Sequence, residues 1–523
     1  MSIKQQAAQN SEVDESMAAL LTNANAIRAI AQAVEGTIGP KGLDTMLVDQ
    51  FGEVVITNDG VTILDMMDIN HPAARMLIKI AKAQQEEVGD GTTTATIMAG
   101  SLVNGGVEQV IKGVPVVKVI EGIKNGIHKA LAVLTDKTRK IRDLDDPVLQ
   151  NVALVASREN KDIAELAVQA AKLMGKEKLA DPVFKLAGIV RAQAGAQNQV
   201  VSGVILDKEP LNAEMPKRLT PLKVLALDDA LEPEELGDEA LATEAGFTRY
   251  LQYQEEFKQN VKKITELGVN LVLVDRGVHE AAEEILTDAQ VMVLSRVANK
   301  ELRLAAELTG AKPIKRTGLK KDREDLMKYL GEAREAYLDE KLKHVRILDG
   351  RGKALATLLV GASTEEVVGE RERIAKDAAS AVQAAIQGGI VPGGGTVELA
   401  IARYVEEARK EVRGMAAYGM DCVIDALKKP FSQIVLNAGF NPLEKLGDVT
   451  AAQVESGLDS LGIDCDTGEV ADMFKKGVFD PTLVKKYALQ AAGEVAEAIL
   501  RIDTIIKKKE RNSEERSALE KFE

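Results

Sequence analysis

The chain has 523 residues and a net charge of −14, an acid excess that argues against nucleic acid as its main partner. Its two cysteines, Cys422 and Cys465, can form neither a disulfide framework nor a cysteine-rich metal site. The polar N-terminus lacks a signal-peptide core, and no apolar stretch reaches the roughly 18 residues of a membrane-spanning helix, so we expect a soluble, cytoplasmic protein of roughly three or four domains.

The N-terminal part is predicted to contain a long helix, a hairpin and two tight loops. Apolar residues recur at helical spacing over 14–34, and the helix is expected to stop before the glycine-rich loop 36–42. Residues 46–57 have the pattern of two paired strands, and the turn Asn58-Asp59-Gly60 follows. Asp59 is open to two interpretations, a structural turn residue or an acid directed at a water molecule.

The stretch Gly89-Asp90-Gly91-Thr92-Thr93-Thr94 lies within a region, 72–138, that is predicted to be nearly all helix, with further breaks at Gly105-Gly106 and before Pro115. Its glycines let the backbone turn with the N–H groups facing one point, and the next helix directs its positive end there. Its threonines can donate to phosphate, and its aspartate is the hard ligand that a phosphate-bound Mg²⁺ prefers. A capped helix start without a ligand is the alternative interpretation.

The middle of the chain changes to alternating strands and helices. Residues 151–173 are predicted to be helical, and 189–194 and 199–206 are predicted to pair as strands across a turn. From 216 to 361, short apolar strand-like runs alternate with helical stretches, which is typical of a small α/β domain. This domain lacks the Gly-x-Gly-x-x-Gly turn of dinucleotide-binding folds, so we expect it to bind a partner rather than to carry chemistry.

The C-terminal part is predicted to be mostly helical around one glycine-rich loop. A helix over 364–387 is expected to end at 388–395, where five glycines in eight residues exclude regular structure. The loop is interpreted either as a hinge or as a second backbone wall around phosphate. A turn-rich segment at 461–469 precedes the last long helix, predicted over 483–499.

The glycine-rich, acid-bearing loops lie near both ends of the chain. If they share one site, the two ends form one domain and the α/β unit is inserted between them. No Gly-x4-Gly-Lys-Ser/Thr string occurs, which disfavours a P-loop NTPase, and a kinase-type glycine loop with its catalytic motifs is disfavoured as well.

Five short strings, in one order, resemble the chaperonins over essentially the whole chain. They are Gly36-Thr37-Ile38-Gly39-Pro40-Lys41-Gly42, Thr57-Asn58-Asp59-Gly60-Val61-Thr62, Gly89-Asp90-Gly91-Thr92-Thr93-Thr94, Val391-Pro392-Gly393-Gly394-Gly395 and Leu500-Arg501-Ile502-Asp503. Within that family the chain resembles the thermosome-like (group II) type, because Asn58 replaces the lysine of the co-chaperonin-dependent class and the tail 507–523 is charged. The short segment around Asn160-Lys161 leaves the divergent bacterial (group III) branch open.

The resemblance implies a multidomain chain with a mainly α-helical equatorial domain, a small α+β intermediate domain and an α/β apical domain with a helical protrusion. The implied boundaries are 1–143 and 398–523 (equatorial), 144–214 and 362–397 (intermediate), and 215–361 (apical, with a lid protrusion at about 231–258). It also implies two stacked rings, most often eightfold, that enclose unfolded or partly folded client proteins. The lid would be built in, with no separate co-chaperonin and with neither nucleic acid nor membrane as a partner.

The same resemblance implies an ATPase site that uses ATP and Mg²⁺. Asp59 and Asp377 match the two carboxylates that orient and activate the attacking water, and Asp90 matches the Mg²⁺ ligand. The matches to nucleotide contacts are Ile38, Gly39, Pro40, Gly91, Thr92, Thr93 and Thr94 at the phosphates, Gly394 and Asp480 at the ribose, and Asp464 and Cys465 near the adenine. Lys161 is aligned with a lysine that senses the terminal phosphate, an alignment that the shortened segment leaves open.

Four of the chain's aromatic residues crowd into one stretch, as Phe247, Tyr250, Tyr253 and Phe257, at helical spacing. The stripe is interpreted either as packing within its own domain or as part of the lid, since the acidic segment 232–244 before it matches the position of the helical protrusion.

Two other functions fit less well. A metabolic ATP-dependent enzyme would need a conventional nucleotide motif, and a ring-forming scaffold would have no need of both proposed catalytic acids.

Overall fold

The computed structural model describes residues 11–14, 16–48, 52, 54–234 and 243–508. The chain divides into two compact units, residues 1–164 with 376–523 and residues 165–375. The two ends therefore share one unit and the middle forms the other, as the positions of the glycine-rich loops indicate. The finer boundaries of the equatorial, intermediate and apical domains stay a prediction.

Most of the described chain is helical. In chain order they are α1 (Ser16–Glu35), α2 (Gly60–Met66), α3 (Pro72–Val88), α4 (Thr92–Ile111), α5 (Val116–Asp136), α6 (Val148–Ala156), α7 (Lys161–Ala180), α8 (Glu244–Glu266), α9 (Glu280–Asp288), α10 (Asn299–Thr309), α11 (Arg323–Met327), α12 (Val368–Gly388), α13 (Thr396–Glu411), α14 (Ala416–Asn437), α15 (Pro442–Ser456), α16 (Met473–Lys476) and α17 (Thr482–Leu500). No helix among the described residues is long and apolar enough to cross a bilayer.

The strands form small sheets and one larger mixed sheet. In chain order they are β1 (Ser11–Asp14), β2 (Thr45–Val48), β3 (Val54–Thr57), β4 (Val190–Ala194), β5 (Gln199–Val201), β6 (Gly203–Leu206), β7 (Arg218–Leu219), β8 (Leu222–Leu227), β9 (Leu271–Val274), β10 (Met292–Leu294), β11 (Gly331–Asp339), β12 (His344–Gly350), β13 (Thr357–Ala362), β14 (Ile390–Pro392), β15 (Leu461–Ile463), β16 (Val470–Asp472), β17 (Phe479–Pro481) and β18 (Ile505–Lys508). The predicted hairpin is β2 paired with β3, and the terminal strands β1 and β18 pair antiparallel.

The unit built from both chain ends has one large apolar core. Helices α1, α4, α5, α14 and α17 pack against one another, and their apolar stripes meet at fully buried residues such as Ile27, Leu102, Ile123 and Ile499. Because each stripe repeats at helical spacing, burying it fixes which face of each helix is turned inward.

The predicted helix break at Gly105-Gly106 is wrong, since α4 continues through both residues. A Cβ at Gly106 would lie 2.6 Å from Cδ1 of Leu500, and one at Gly105 would lie 3.4 Å from Sγ of Cys422. Gly106 therefore lets α17 approach α4 closely, whereas a side chain at Gly105 would make an ordinary contact. Packing outweighs the roughly 1 kcal/mol that glycine costs inside a helix relative to alanine.

Two other sequence expectations also fail. The predicted helix over 151–173 is interrupted between α6 and α7, where Arg158 and Glu159 adopt positive φ. Part of the glycine-rich loop 388–395 is regular, because β14 pairs antiparallel with β17.

The unit of residues 165–375 contains a sheet of order β10-β9-β8-β11-β12-β6, with β7 paired to β11, and a smaller sheet of order β4-β13-β5. Strands β8, β9 and β10 are parallel and almost wholly apolar, as expected for strands covered on both faces. The predicted pairing of 189–194 with 199–206 is wrong, because β13 lies between β4 and β5 and the chain after Ser202 joins the larger sheet as β6.

Helix α8 carries the predicted aromatic stripe and divides it into two parts. Phe257 is 6% exposed and packs edge-on against His279 at a ring distance of 5.8 Å, so packing within the domain is confirmed for this residue. Phe247, by contrast, is 54% exposed and stacks on Tyr250. Most of the acidic segment before α8, residues 235–242, lies outside the described residues.

Helices α5 and α14 cross with their backbones in contact. A Cβ at Gly122 would lie 1.9 Å from the carbonyl oxygen of Ala416, and one at Gly419 would lie 2.1 Å from the carbonyl oxygen of Val119. A backbone obstacle cannot rotate away as a side chain can, so the two glycines set the distance between these helices.

We expect Gly122→Ala to lower the free energy of unfolding by about 2 kcal/mol, because overpacking costs roughly 1–3 kcal/mol and exceeds the gain of roughly 1 kcal/mol in helix propensity. Gly447→Ala in α15 is the matched control, since no atom lies within 4 Å of its Cβ position. That control should be at least as stable as the parent. Urea unfolding of the three proteins measures both effects, and equal midpoints for the parent and Gly122→Ala would contradict the close crossing.

Candidate active site

The loop between α3 and α4 has the tight turn that its two glycines predict. Gly89 and Gly91 adopt left-handed conformations with φ of 72° and 79°. The N–H of Gly91 donates to Oδ1 of Asp90 at 2.5 Å. Gly91 is also the N-cap of α4, whose first turn contains the residues Thr92, Thr93 and Thr94. Because the first N–H groups of a helix have no partner within it, this turn offers several donors to an anion.

Two other helices press against the backbone of this loop. A Cβ at Gly89 would lie 2.1 Å from Oγ of Ser380 on α12, and one at Gly91 would lie 2.4 Å from Cγ1 of Val484 on α17. Side chains are therefore excluded at both glycines. Buried Gln84 adds a link, since its Nε2 donates to the carbonyl oxygens of Asp90 at 2.9 Å and Val484 at 3.2 Å.

Asp59 caps α2, whose N-terminus lies against the N-terminus of α4. Its carboxylate accepts hydrogen bonds from the N–H of Val61 at 3.4 Å, and from the N–H and hydroxyl of Thr62 at 3.0 and 2.6 Å. A Cβ at Gly60 would lie 2.7 Å from Oγ1 of Thr93. Asp59 thus caps α2 beside the threonine turn, and its role toward a water molecule stays a prediction.

Asp377 is half-buried on α12, three residues before the serine that contacts Gly89. Residues three apart on a helix share a face, so Asp377 lies on the side of α12 that meets the α3–α4 loop. One turn further on, Ala384 packs with Val88 and Val484 on that same side. The boundary between the two compact units falls within this helix, between Ala375 and Lys376.

Strands β14 and β17 bring the second glycine-rich loop to Asp480. Val391 lies opposite Asp480 in their register, and a Cβ at Gly393 would lie 3.0 Å from Oδ1 of Asp480. Gly394 and Gly395 have φ of 69° and 73°, and α13 starts directly after them. The predicted ribose residues Gly394 and Asp480 therefore lie on adjoining segments at the start of a helix.

A buried lysine that the sequence analysis did not single out lies behind Asp480. Nζ of Lys485 is 2.7 Å from Oδ2 of Asp480 and 2.7 Å from Oε1 of Glu398. Lys485 is 7% exposed and Glu398 is 1% exposed. Burial alone lowers the pKa of the Lys485 ammonium, but the two carboxylates outweigh this effect and raise the pKa above its ordinary value.

The sequence does contain a signal for this buried charge. Lys485 falls on the apolar stripe of α17, at helical spacing with Ala488, Ala492, Ala496 and Ile499, all of which are buried. A lysine on such a stripe needs an acidic partner within the fold, because an unpaired buried charge is too costly.

The site concentrates negative charge around its backbone donors. Burial raises the pKa of the Asp90 carboxyl, and the carboxylates of Asp480 and Asp59 raise it further, against the opposing effects of the Gly91 N–H and Lys485. The three carboxylates thus act on one region. These carboxylates repel a phosphate group unless a cation lies between them and the phosphate.

The residues present fit a phosphate-bound Mg²⁺ rather than a structural metal site. No group of three or more His, Cys, Asp or Glu side chains among the described residues is arranged to hold a metal ion alone. Mg²⁺ commonly takes one or two carboxylates and completes its shell with phosphate oxygens and water. Asp90, the half-buried acid at the threonine turn, suits that single protein contact.

The loop Ile38-Gly39-Pro40 and the predicted adenine residues approach each other. Nδ2 of Asn437 donates to the carbonyl oxygen of Ile38 at 2.9 Å, and Lys41, next to this loop, pairs with Asp466 at 2.6 Å. Asp466 follows Asp464 and Cys465 in the turn between β15 and β16, where Asp464 pairs with Lys476. Burial raises the pKa of the Cys465 thiol, so it is a poor nucleophile.

Lys161 is the exposed first residue of α7. Glu159, two residues earlier, is close enough to Lys41 to help raise the pKa of that lysine, whose main partner is Asp466. The turn before α7 therefore lies near the Lys41 loop. The role of Lys161 as a phosphate sensor stays a prediction.

Comparison with known proteins gives one consistent family. Residues 30–510 match the model of the TCP-1/cpn60 chaperonin family. A thermosome subunit of Pyrococcus abyssi is 36% identical, covering 92% of this chain and 90% of the relative, and thermosome subunit beta of Archaeoglobus fulgidus is 36% identical, covering 92% and 91%. A crystal structure of a group III chaperonin in the open state is 47% identical with a TM-score of 0.86, covering 94% of this chain and 99% of that chain.

The structural match extends over nearly the whole length of both chains, so it includes the helical unit and the unit of residues 165–375 alike. It confirms the predicted fold class, a multidomain chaperonin fold with equatorial, intermediate and apical domains. The family model covers residues 30–510, and the thermosome subunit of Pyrococcus abyssi is 36% identical over 92% of this chain. The chain therefore belongs to the TCP-1/cpn60 chaperonin family.

Proposed function

We propose that this ATP-dependent chaperonin hydrolyses ATP where the N-termini of α2, α4 and α17 meet, with Mg²⁺ bound to Asp90. The observation that carries the proposal is the contact of the Gly89–Gly91 loop with Ser380 and Val484. These contacts bring the elements that bear Asp377 and Asp480 to the threonine turn. ATP turnover at this site drives the enclosure of unfolded proteins beneath a built-in lid.

The chain's own residues supply binding and water activation. The N–H groups and hydroxyls at the start of α4 bind phosphate oxygens. When bound, Mg²⁺ neutralises charge on the phosphates. Asp59 already accepts three hydrogen bonds from the start of α2, which leaves about one of its roughly four acceptor positions. We therefore assign Asp59 to orienting the water and Asp377 to accepting its proton during phosphoryl transfer.

The assembly follows from family membership, and its details belong to the proposal. Chaperonins of this family form stacked rings that bind client proteins. We propose eightfold rings, a lid formed around residues 231–258, no separate co-chaperonin and a cytoplasmic location. Electron microscopy of the purified protein with and without ATP tests the ring symmetry and the lid together.

We also propose that the chain belongs to the group III branch. Its identity to the group III structure, 47%, exceeds the 36% that it shares with the two archaeal thermosome subunits. The short segment around Asn160-Lys161 agrees with this assignment.

Asp377→Ala should lower ATP turnover by about 10²-fold or more, as expected for loss of the group that accepts the proton from water. Mg²⁺-ATP affinity should change little, because Asp377 is assigned no contact with the nucleotide. Phosphate release and nucleotide binding measure the two quantities separately. Glu372→Ala, on the same helix, is the control and should keep the parent's turnover; an Asp377→Ala enzyme of normal turnover would remove this residue from the mechanism.

Asp90→Ala should weaken nucleotide binding itself, because it removes the proposed metal ligand. The effect should appear as a loss of Mg²⁺ dependence when ATP binding is titrated with and without the metal. Glu86→Ala, an exposed acid at the end of α3, is the control. Equally tight and still Mg²⁺-dependent binding by Asp90→Ala would leave Asp90 a turn residue only.

Replacing residues 232–248 by a short Gly/Ser linker should abolish encapsulation while ring assembly and ATP hydrolysis remain largely intact. The exposed Phe247 at the start of α8 is removed with this segment, but buried Phe257 is retained. The measurement is protease protection of a bound unfolded client with ATP and a transition-state mimic of the γ-phosphate. Protection equal to that of the parent would mean that the lid lies elsewhere.

A further inference from the structure

The ion pair of Lys485 joins the two segments that form one wall of the candidate site. Asp480 is the middle residue of β17 and lies two residues before α17, whereas Glu398 lies in the first turn of α13, directly after the Gly393–Gly395 loop. Lys485 reaches both carboxylates at 2.7 Å from within α17. The lysine therefore fixes the start of α17 relative to the glycine-rich loop.

The two oxygens of Asp480 have different surroundings. Oδ2 is held by Lys485 at 2.7 Å. Oδ1 faces the bare backbone of Gly393, 3.0 Å from the position where a Cβ would lie. The side chain of Asp480 is 20% exposed, compared with 9% for Lys485 and 1% for Glu398, so it is the accessible end of the triad.

We propose that Lys485 is a positioning residue for the ribose of ATP, because it anchors Oδ2 of Asp480 and leaves Oδ1 to accept a hydrogen bond from a ribose hydroxyl. This inference rests on the proposed nucleotide site. An ionised carboxylate held in one orientation is a strong acceptor for a neutral hydroxyl, whereas a freely rotating one loses part of that advantage to side-chain entropy.

Glu398 holds Lys485 from the opposite side. Neither of its carboxylate oxygens meets the geometry of a hydrogen bond in the part of the chain that the structure describes, so the ion pair of Oε1 with Lys485 at 2.7 Å is its main source of compensation. Removing Lys485 alone would leave Glu398 as an unpaired buried charge and could unfold the chain. Both charges must therefore be removed together, so that an effect on ATP binding can be distinguished from an effect on folding.

The test compares the parent with Glu398→Gln/Lys485→Met, which removes one charge of each sign. The control Arg409→Met/Asp421→Asn removes a bidentate ion pair at 2.7 and 2.9 Å that involves the same helix, α13, away from the glycine-rich loop. A single Glu398→Gln variant keeps the bond between Lys485 and Asp480. Thermal unfolding of all four proteins shows whether each variant is folded at the assay temperature.

Binding of ATP, 2′-deoxy-ATP and 3′-deoxy-ATP, each with Mg²⁺, is measured by calorimetry. We expect the parent to bind ATP about tenfold more tightly than either 2′-deoxy-ATP or 3′-deoxy-ATP, whichever lacks the hydroxyl that donates to Asp480. This ratio corresponds to the loss of one charge-assisted hydrogen bond. The double variant Glu398→Gln/Lys485→Met should lose most of that preference and bind ATP about tenfold more weakly. The control Arg409→Met/Asp421→Asn and the single variant Glu398→Gln should keep the preference.

An unchanged preference in the folded double variant would overturn the positioning role and leave Lys485 a structural residue. A parent that binds ATP without ribose discrimination would also overturn it, while the proposed ATPase would survive. A parent that binds no ATP would instead overturn the proposed function. If the double variant is unfolded, Glu398→Met combined with Lys485→Met, which replaces the buried ion pair by apolar side chains and leaves no anchor for Asp480, replaces it with the same expected loss.

Discussion

The site depends on the absence of side chains at Gly89 and Gly91. The backbone of their loop is in contact with α12 on one side and α17 on the other, closer than any Cβ allows. Those contacts come from helices far away in the sequence, and they bring Asp377 and Asp480 towards the start of α4. A single geometric constraint thereby joins the N-terminal loops to the C-terminal helices.

Charge balance is the second property of the site. Asp59, Asp90 and Asp480 surround backbone donors that would bind phosphate. Burial raises the pKa of Asp90, and repulsion from Asp480 and Asp59 raises it further. Lys485 offsets part of this charge from beneath, where water is excluded and electrostatic interactions are stronger. The remaining negative charge suits a nucleotide that arrives with its own Mg²⁺, since the metal compensates the carboxylates and the phosphates together.

Asp377 lies on a helix that contributes residues to both compact units. It lies two residues from the boundary between the two compact units, in a helix that continues through that boundary. Its contact face also includes Ser380 and Ala384, which pack against the loop and against α17. In the proposed mechanism, the carboxylate of Asp377 therefore reaches the water only when α12 is packed against the α3–α4 loop.

The sequence by itself determined the local chemistry: the turn at Gly89–Gly91, the cap at Asp59, the acid at Asp90 and most helix positions. These features follow from residue type and short-range spacing. Only the tertiary structure decided that Gly105 and Gly106 remain helical, that β13 separates β4 from β5, and that Lys485 is buried between Glu398 and Asp480. Each of those outcomes depends on residues distant in the chain, and local propensities of about 1 kcal/mol cannot determine which distant surfaces meet.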